Sequence, residues 1–275
     1  MENEVVKAVK VEKLQQLHDS WITLSDYIQA NKAVNQLTAN VVYAYAHLLL
    51  KDDSDLPIIP AKHHRLWMDL VCDESIRRLL IISPPDSAKT TWLVSAYLGA
   101  YIGFYPHKSV IIGCVDGSTA EKRSISLRNM TETPQWQTIF PNVIADTSMK
   151  RERVEWTVAL NGQSALGRIN PSVRSYGTGA SIIGSRADFL LGDDLLDTNN
   201  TRTKAGRDTF AIWFESMFLS RMKAQTGRCV VIGTSWNADD YYARIRRNPA
   251  GWVIVHIPSM IDDDSGFYAH ITEDK

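Results

Sequence analysis

The sequence predicts an α/β fold in which helices flank a mostly parallel sheet. Short apolar runs typical of buried strands alternate with segments of helical periodicity over most of the 275 residues. Small or polar residues follow three of these runs where each strand ends, and that edge of an open parallel sheet is where ligands bind. The predicted strands are Leu79–Ser83, Ser109–Val115, Phe189–Asp193, Arg228–Thr234 and Trp252–Ile257.

Four helices are predicted between these strands, over Thr90–Gly103, Ser118–Thr131, Thr203–Ala224 and Ala238–Asn248. Ser118 and Glu121 have the spacing of a capping box, which predicts that the second helix begins there. Between residues 154 and 176, the turn pair Asn161-Gly162 separates two short apolar runs. This pattern predicts a β-hairpin whose antiparallel strands extend one edge of the sheet.

The two ends of the chain are predicted to lie outside the main domain. Apolar residues at helical spacing between Leu14 and Leu48 predict two helices, and the charged segment Lys51–Pro60, with two prolines, predicts an extended connector. We therefore divide the chain into an N-terminal helical appendage (1–55), a main domain (56–262) and the start of a linker (263–275).

Composition limits the function only broadly. Lys and Arg number 30 against 31 Asp and Glu, so the overall charge does not indicate a nucleic-acid partner, although a local basic face can coexist with it. The three cysteines lie far apart in apolar runs, as expected for reduced core thiols in an intracellular protein. The longest strongly apolar stretch, Val41–Leu50, is too short for a bilayer, and no membrane role is expected.

The segment Ser83–Thr91 predicts a phosphate-binding loop. It follows a buried strand and ends in Lys89 and Thr90, the residue types that reach the β- and γ-phosphates and coordinate Mg²⁺ in such loops. Ser83 and Ala88 replace the two glycines of the usual pattern, so the motif alone leaves a plain turn with an exposed Lys equally open. The loop residues predicted to contact a nucleotide are Pro85, Asp86, Ser87, Ala88, Lys89, Thr90 and Thr91.

A second motif is the apolar run that ends in Asp193 and Asp194. At the carboxyl end of a parallel strand, Asp193 is expected to hold Mg²⁺, and Asp194 to orient the attacking water or accept its proton. An acidic turn that caps the next segment explains either residue alone. The two motifs together, in this order, favour a P-loop ATPase.

A third motif is the run that ends in Thr234 and Ser235. In such a sheet these hydroxyls are expected beside the γ-phosphate, where they can distinguish ATP from ADP and pass the difference to the following helix. The alternative is that Thr234 only satisfies a helix terminus.

These motifs resemble the ATPase domain of the large terminase subunit, the DNA-packaging motor of tailed bacteriophages. The matching segments are Ser83–Thr91 as a deviant Walker A loop, Gly177–Asp194 as the approach to Walker B, and Ile232–Asp240 as the coupling motif. The resemblance implies an ASCE-type P-loop ATPase fold over residues 56–262, with ATP and Mg²⁺ as cofactors and hydrolysis that drives double-stranded DNA into a procapsid. A helicase-like ATPase, or a nucleotide-binding or structural module without hydrolysis, stays open as an alternative.

The resemblance also implies partners and further residues. Portal protein, the small terminase subunit and a homo-oligomeric ring around DNA are expected, in the host cytoplasm and transiently on the procapsid portal. Relatives place adenine contacts near His63, His64 and Arg65, which makes His64 or Arg65 a candidate for contact with the base or ribose, although a role on the helix surface explains either residue equally. Relatives continue into a nuclease domain, towards which 263–275 is expected to lead. The basic segments 150–153 and 244–247 are candidates for contact with DNA phosphates, although solvated faces explain them as well.

The chain departs from the resemblance in two respects. Many relatives carry Arg inside the loop, which this chain lacks, so we expect an arginine from elsewhere, with a neighbouring subunit as one source. Arg186 is the first candidate because it precedes the Asp193 strand, followed by Arg174 and Arg128, and a solvent-facing ion pair is the alternative for each. Asp194 replaces the Glu of many relatives, and its shorter side chain is expected to slow hydrolysis or require a water relay.

Overall fold

A computed structural model of the chain describes residues 19–148, 152–161, 163, 165, 168–258 and 270–272. In this part of the chain the strands are β1 (Arg78–Ile82), β2 (Val110–Cys114), β3 (Val143–Ala145), β4 (Glu155–Trp156), β5 (Val158–Leu160), β6 (Val173–Gly177), β7 (Phe189–Asp193), β8 (Arg228–Gly233), β9 (Val253–His256) and β10 (His270–Thr272). The helices are α1 (19–33), α2 (Ala39–Leu49), α3 (Lys62–Cys72), α4 (Gly99–Phe104), α5 (Gly117–Thr131), α6 (Pro134–Ile139), α7 (Thr198–Thr201), α8 (Lys204–Trp213) and α9 (Tyr241–Arg247). Two π-helical segments, Thr91–Leu98 and Phe214–Phe218, precede α4 and follow α8.

The main sheet has the order β10-β9-β1-β8-β7-β2-β6-β4. The pairs from β9 to β6 are all parallel, while β10 and β4 pair antiparallel at the two edges. This confirms the predicted α/β class with a mostly parallel sheet. Strand β8 lies between β1, which precedes the predicted phosphate loop, and β7, which ends at Asp193.

The central strands are buried because the sheet packs on both faces. Alternate residues of a strand point to opposite faces, and accordingly Leu79 and Ile81 belong to one hydrophobic cluster while Leu80 and Ile82 belong to another. Continuous apolar runs are typical of parallel strands that are covered on both sides, which is why sequence patterning located these strands to within a residue or two at each end.

The N-terminal helices are part of this core. Ile28 of α1 and Val41 and Tyr45 of α2 are completely buried, in the same cluster as Leu93 and Leu191. Among the described residues, the predicted helical appendage therefore has no core separate from that of the sheet. The boundary near residue 55 stays a prediction, and Leu14 lies outside the described residues.

Two segments at the edges of the sheet differ from the sequence-based expectation. Residues 270–272, within the segment predicted as the start of a linker, form β10 because their backbone pairs antiparallel with β9; the rest of that segment lies outside the described residues, so the linker stays a prediction. The predicted hairpin divides between two sheets, because β4 pairs with β6 and β5 pairs with β3. Among the described residues of the predicted turn, an antiparallel bridge joins Leu160 and Gln163.

Helix α5 begins earlier than predicted and helix α9 begins later, in each case because an Asp side chain caps the helix. Helix α5 begins at Gly117, since the Asp116 side chain accepts a hydrogen bond from the backbone N–H of Thr119 at 2.8 Å, so the predicted Ser118 capping box is wrong. Asp240 similarly caps α9. Among the described residues, none of the helices combines the length and the apolar content that a membrane span requires.

Candidate nucleotide-binding site

The loop between β1 and the first π-helix is held in shape by its own polar groups. The Ser83 hydroxyl donates to the Ser87 hydroxyl at 2.8 Å, and the Ser87 hydroxyl donates to the Pro84 carbonyl oxygen at 2.8 Å. Asp86 and Ala88 have φ of 58° and 53°. Glycine adopts this left-handed conformation freely, whereas other residues do so at a cost of about 1–2 kcal/mol. The loop thus keeps a backbone that favours glycine at Ala88, the second position where the usual pattern has one.

Lys89 lies inside this loop. Its side chain is buried, with 6% exposed, and the ammonium group donates to the Pro84 carbonyl oxygen at 2.8 Å and to the Thr234 hydroxyl at 3.1 Å. The Thr234 hydroxyl in turn donates to the Ser83 carbonyl oxygen at 3.2 Å. An exposed Lys on a plain turn, the alternative left open by the sequence, is therefore wrong.

Thr90 and Asp193 meet at the carboxyl edge of the sheet. The Thr90 hydroxyl lies 3.1 and 3.0 Å from the two carboxylate oxygens of Asp193. Asp193 is 1% exposed. A hydroxyl and a carboxylate are the hard oxygen ligands that Mg²⁺ accepts together with phosphate oxygens and waters. This donor set fits the magnesium ion that the sequence predicted.

Arg123 completes the polar cluster, and sequence reasoning did not single it out. Its Nε donates to an Asp193 carboxylate oxygen at 2.9 Å, and one of its Nη atoms donates to the Thr90 hydroxyl at 3.2 Å. Helix α5 brings it there because it starts directly after β2, whose Cys114 pairs with Asp193 in the neighbouring strand. Finding Arg123 requires knowing that β2 lies beside β7, and the sequence carries no signal for that order.

Asp194 carries a charge that its surroundings disfavour. Burial raises the pKa of its carboxyl group, and the neighbouring Asp193 carboxylate adds to the rise, while the Lys89 ammonium opposes it. Its φ is 49°, and its backbone N–H donates to the Ile232 carbonyl oxygen at 2.9 Å. A carboxylate whose pKa is raised towards neutrality is a better proton acceptor than an ordinary one.

The segment after β8 links the site to α9. Asp240 is completely buried, and its carboxylate accepts hydrogen bonds from the Ser235 hydroxyl at 3.0 Å, from the backbone N–H groups of Trp236 and Asn237, and from that of Ala243 in α9. The structure thus brings Thr234 to the phosphate loop, whereas the Ser235 hydroxyl bonds Asp240.

His64 contacts the backbone of the phosphate loop through a hydrogen bond. The backbone N–H of Ala61 donates to its Nδ1 at 3.0 Å, so Nε2 carries the proton and donates to the Ser87 carbonyl oxygen at 3.0 Å. Its ring stacks on Trp92, and burial lowers its pKa to about 4. Because backbone groups engage both ring nitrogens, adenine contact by His64 stays a prediction without support from this geometry.

The predicted arginines do not reach the site within the chain. Arg186 is exposed and precedes the amino end of β7, whereas Asp193 is at the carboxyl end, roughly 20 Å away at the usual rise per strand residue. Arg174 pairs with Glu155 at 2.8 Å, and Arg128 donates to the Glu152 carbonyl oxygen at 3.3 Å. A catalytic role for Arg186 in the site of its own chain is therefore wrong, and a role in a neighbouring subunit stays a prediction.

Three arginines of the two basic segments pair with acidic neighbours. Arg153 pairs with Glu121 at 2.6 Å. Arg244 pairs with Asp208 at 2.9 Å, and Arg247 pairs with Asp239 at 2.5 Å. Lys150 and Arg151 lie outside the described residues. These pairs favour the interpretation of the segments as solvated faces.

Neither protein-family models nor curated protein sequences match the chain. Among solved structures, it is similar to the large terminase of bacteriophage HK97, with 12% identity and a TM-score of 0.51 over 83% of this chain and 46% of that chain. It is also similar to a mutant of the large terminase ATPase domain of Thermus phage P74-26, with 14% identity and a TM-score of 0.49 over 70% and 73%. The chain shares the fold of the HK97 large terminase, as the sequence motifs predicted, and spans less than half the length of that protein.

Proposed function

We propose that this chain hydrolyses ATP to drive the packaging of double-stranded DNA into a phage procapsid. The observation that carries the proposal is the convergence of Lys89, Thr90, Asp193 and Asp194 at one edge of a sheet with the large terminase fold. In this role its partners are DNA, the portal protein and the small terminase subunit, and copies of the chain form a ring on the portal in the host cytoplasm.

Each residue of the cluster has a distinct task in phosphoryl transfer. The loop N–H groups and Lys89 bind the β- and γ-phosphates, and Thr90 and Asp193 hold Mg²⁺. The metal ion, when bound, neutralises negative charge on the phosphate oxygens. Asp194 orients the attacking water and accepts its proton, a task that suits a half-buried carboxylate with a raised pKa.

Thr234 is suited to couple the phosphate to α9. In the structure its hydroxyl accepts from Lys89 and donates to the loop. A γ-phosphate that draws Lys89 towards itself removes the first of these bonds. The segment from Thr234 to the buried Asp240 then transmits the change to the start of α9.

The decisive experiment compares Lys89→Ala with the unmodified chain by calorimetric titration with Mg²⁺–ATP and by steady-state turnover. We expect Lys89→Ala to lower turnover by at least about a hundredfold, because it removes a buried cation from the charge that develops in the transition state. Lys204→Ala is the matched control, since the Lys204 side chain is 82% exposed and its ion pair within the described residues is with the surface carboxylate of Asp208. Absence of ATP binding by the unmodified chain at millimolar nucleotide would reject the proposal.

A helicase-like ATPase is distinguished by its product on DNA. A motor that translocates along duplex DNA hydrolyses ATP faster when duplex is added and leaves a forked duplex paired. Separation of the strands of such a fork would favour the helicase interpretation instead.

A further inference from the structure

Arg123 occupies the position between the two predicted ligands of the magnesium ion. Its guanidinium group donates to the Asp193 carboxylate at 2.9 Å and to the Thr90 hydroxyl at 3.2 Å. These are the oxygen atoms that the proposed function assigns to Mg²⁺. An arginine in this position opposes the binding of a divalent cation there, because the two positive charges repel each other and the guanidinium already occupies an Asp193 oxygen and the Thr90 hydroxyl.

The arrangement has an electrostatic reason. Asp193 is 1% exposed, and a buried carboxylate requires a compensating cation. In the structure, Arg123 is the partner that forms an ion pair with it. A magnesium ion on Thr90 and Asp193 supplies the same compensation, so the pairing with Arg123 is no longer needed once the ion binds.

Arg123 also has a route away from Asp193. Its side chain is 33% exposed, in contrast to the nearly inaccessible carboxylate with which it pairs. It projects from α5, a helix whose first turn is fixed by the Asp116 cap. A long side chain on a fixed helix can change its rotamer without moving the backbone, and the guanidinium already contacts Thr90 at the end of the phosphate loop.

We propose that Arg123 exchanges partners during the nucleotide cycle. It neutralises Asp193 while the site is empty, is displaced when Mg²⁺ and nucleotide bind, and then pairs with the nucleotide phosphates. Arg123 thereby supplies, within the same chain, the arginine that the phosphate loop lacks. The inference rests on the proposed function for its phosphate step, whereas its metal step concerns Thr90 and Asp193 alone.

The first test measures Mg²⁺ binding without nucleotide, by calorimetry and by the shift in melting temperature. In the unmodified chain Mg²⁺ must displace Arg123, so Arg123→Gln is expected to bind Mg²⁺ at least about fivefold more tightly. Lys122→Gln is the matched control, because it removes the same charge from the neighbouring, exposed position of α5 and is expected to leave Mg²⁺ binding unchanged. Equal Mg²⁺ affinity of Arg123→Gln and the unmodified chain would overturn the exchange.

The second test measures Mg²⁺–ATP. Arg123→Gln is expected to bind Mg²⁺ more tightly and yet to hydrolyse ATP more slowly. Its turnover is expected to fall by about a hundredfold, because the variant loses a contact with the phosphate. A variant with tighter Mg²⁺ binding and unchanged turnover overturns the phosphate step. Arg123→Lys keeps a cation but cannot bridge both oxygens. It is expected to fold even where Arg123→Gln does not, and to show smaller changes in the same directions. If neither Mg²⁺ binding nor turnover changes in Arg123→Lys, the inference is contradicted.

The two proposals fail differently. If the unmodified chain binds no ATP, the proposed function fails, and the phosphate step fails with it. If Lys89→Ala abolishes turnover but Arg123→Gln changes neither Mg²⁺ binding nor turnover, the proposed function stands and the exchange by Arg123 is rejected.

Discussion

At Asp194 a strained backbone and a disfavoured charge occur in one residue. Its φ of 49° lies in the left-handed region, and burial raises the pKa of its carboxyl group. Both features reduce stability, and such costs persist in proteins mostly at functional sites. The raised pKa means that the folded chain holds the proton more tightly than the unfolded chain, so ionisation of Asp194 at neutral pH lowers the free energy of unfolding.

We therefore predict that Asp194→Asn raises the stability of the chain and lowers its activity. Asn tolerates a left-handed φ and carries no charge, so the melting temperature at pH 7 is expected to rise. Hydrolysis is expected to fall by about a hundredfold or more, because the proton acceptor is lost, while ATP binding is retained. Asp55→Asn is the control, since Asp55 is exposed with φ of 61° and lies outside the site. Unchanged turnover would remove Asp194 from the mechanism.

The second prediction at this scale concerns His64 and pH. Burial lowers its pKa to about 4 from the ordinary 6.5, and the Ala61 N–H already occupies Nδ1, where a second proton would have to bind. Between pH 6.5 and about 4, the unfolded chain therefore binds a proton here that the folded chain does not. The free energy of unfolding falls as pH falls through this window, by up to about 1.4 kcal/mol per pH unit.

His64→Gln is expected to reduce this acid sensitivity, since Gln can still donate to the Ser87 carbonyl oxygen but does not titrate. The measurement is urea unfolding at pH 7, 6 and 5. His47→Gln, at an exposed position of α2, is expected to keep the slope of the unmodified chain. The same slope in all three proteins would assign the acid sensitivity to another group.

At the scale of elements, the contact between β6 and α5 positions the site. A Cβ at Gly177 would lie 2.4 Å from the backbone nitrogen of Gly117 and 2.6 Å from the carbonyl carbon of Asp116. Both atoms belong to backbone, which cannot rotate away. Gly177 therefore lets the end of β6 lie directly against the start of the helix that carries Arg123.

We predict that Gly177→Ala lowers the free energy of unfolding by about 1–3 kcal/mol, because the added methyl group forces α5 away from the sheet. Gly117→Ala is the matched control: a Cβ there meets nothing within 4 Å, so we expect a change of less than about 1 kcal/mol. Urea unfolding of both variants measures the difference. Similar midpoints for the two would show that the helix start is not tightly held.

The accuracy of sequence reasoning at this scale depended on whether a signal was local. The strand β7 was predicted at its observed bounds because an apolar run that ends in Asp193 is visible in the sequence. The start of α5 was wrong because the prediction placed the cap at Ser118, whereas the structure has it at Asp116. The extended backbone of Asp116, two residues after β2, allows its side chain to cap the helix, and the sequence pattern does not show that conformation.

At the scale of the whole molecule, the N-terminal helices and the sheet form one core. Val41 of α2 is completely buried in the cluster that also contains Leu191 of β7. A separate appendage would unfold independently, whereas a shared core predicts one cooperative transition.

Val41→Ala is accordingly expected to lower the stability of the entire chain by about 2 kcal/mol, within a single transition. Calorimetry and tryptophan fluorescence should report the same midpoint. Val34→Ala makes the same chemical change at a position that is 70% exposed, and it should have little effect. An early transition confined to the N-terminal helices would support the independent appendage.

The sequence by itself determined the class of the fold and the residue types of the site. Lys89, Thr90 and Asp194 follow a buried strand and Asp193 ends one, and a pattern of consecutive residues shows each of these relations. Which arginine joins them was decided only by the tertiary structure. Arg186 is close to Asp193 in sequence but precedes the amino end of β7, whereas Asp193 is at the carboxyl end. Arg123 is seventy residues from Asp193 along the chain, yet it lies within hydrogen-bonding distance of the Asp193 carboxylate. The physical reason is that strand order depends on packing across the whole sheet, so short-range sequence patterns do not predict it.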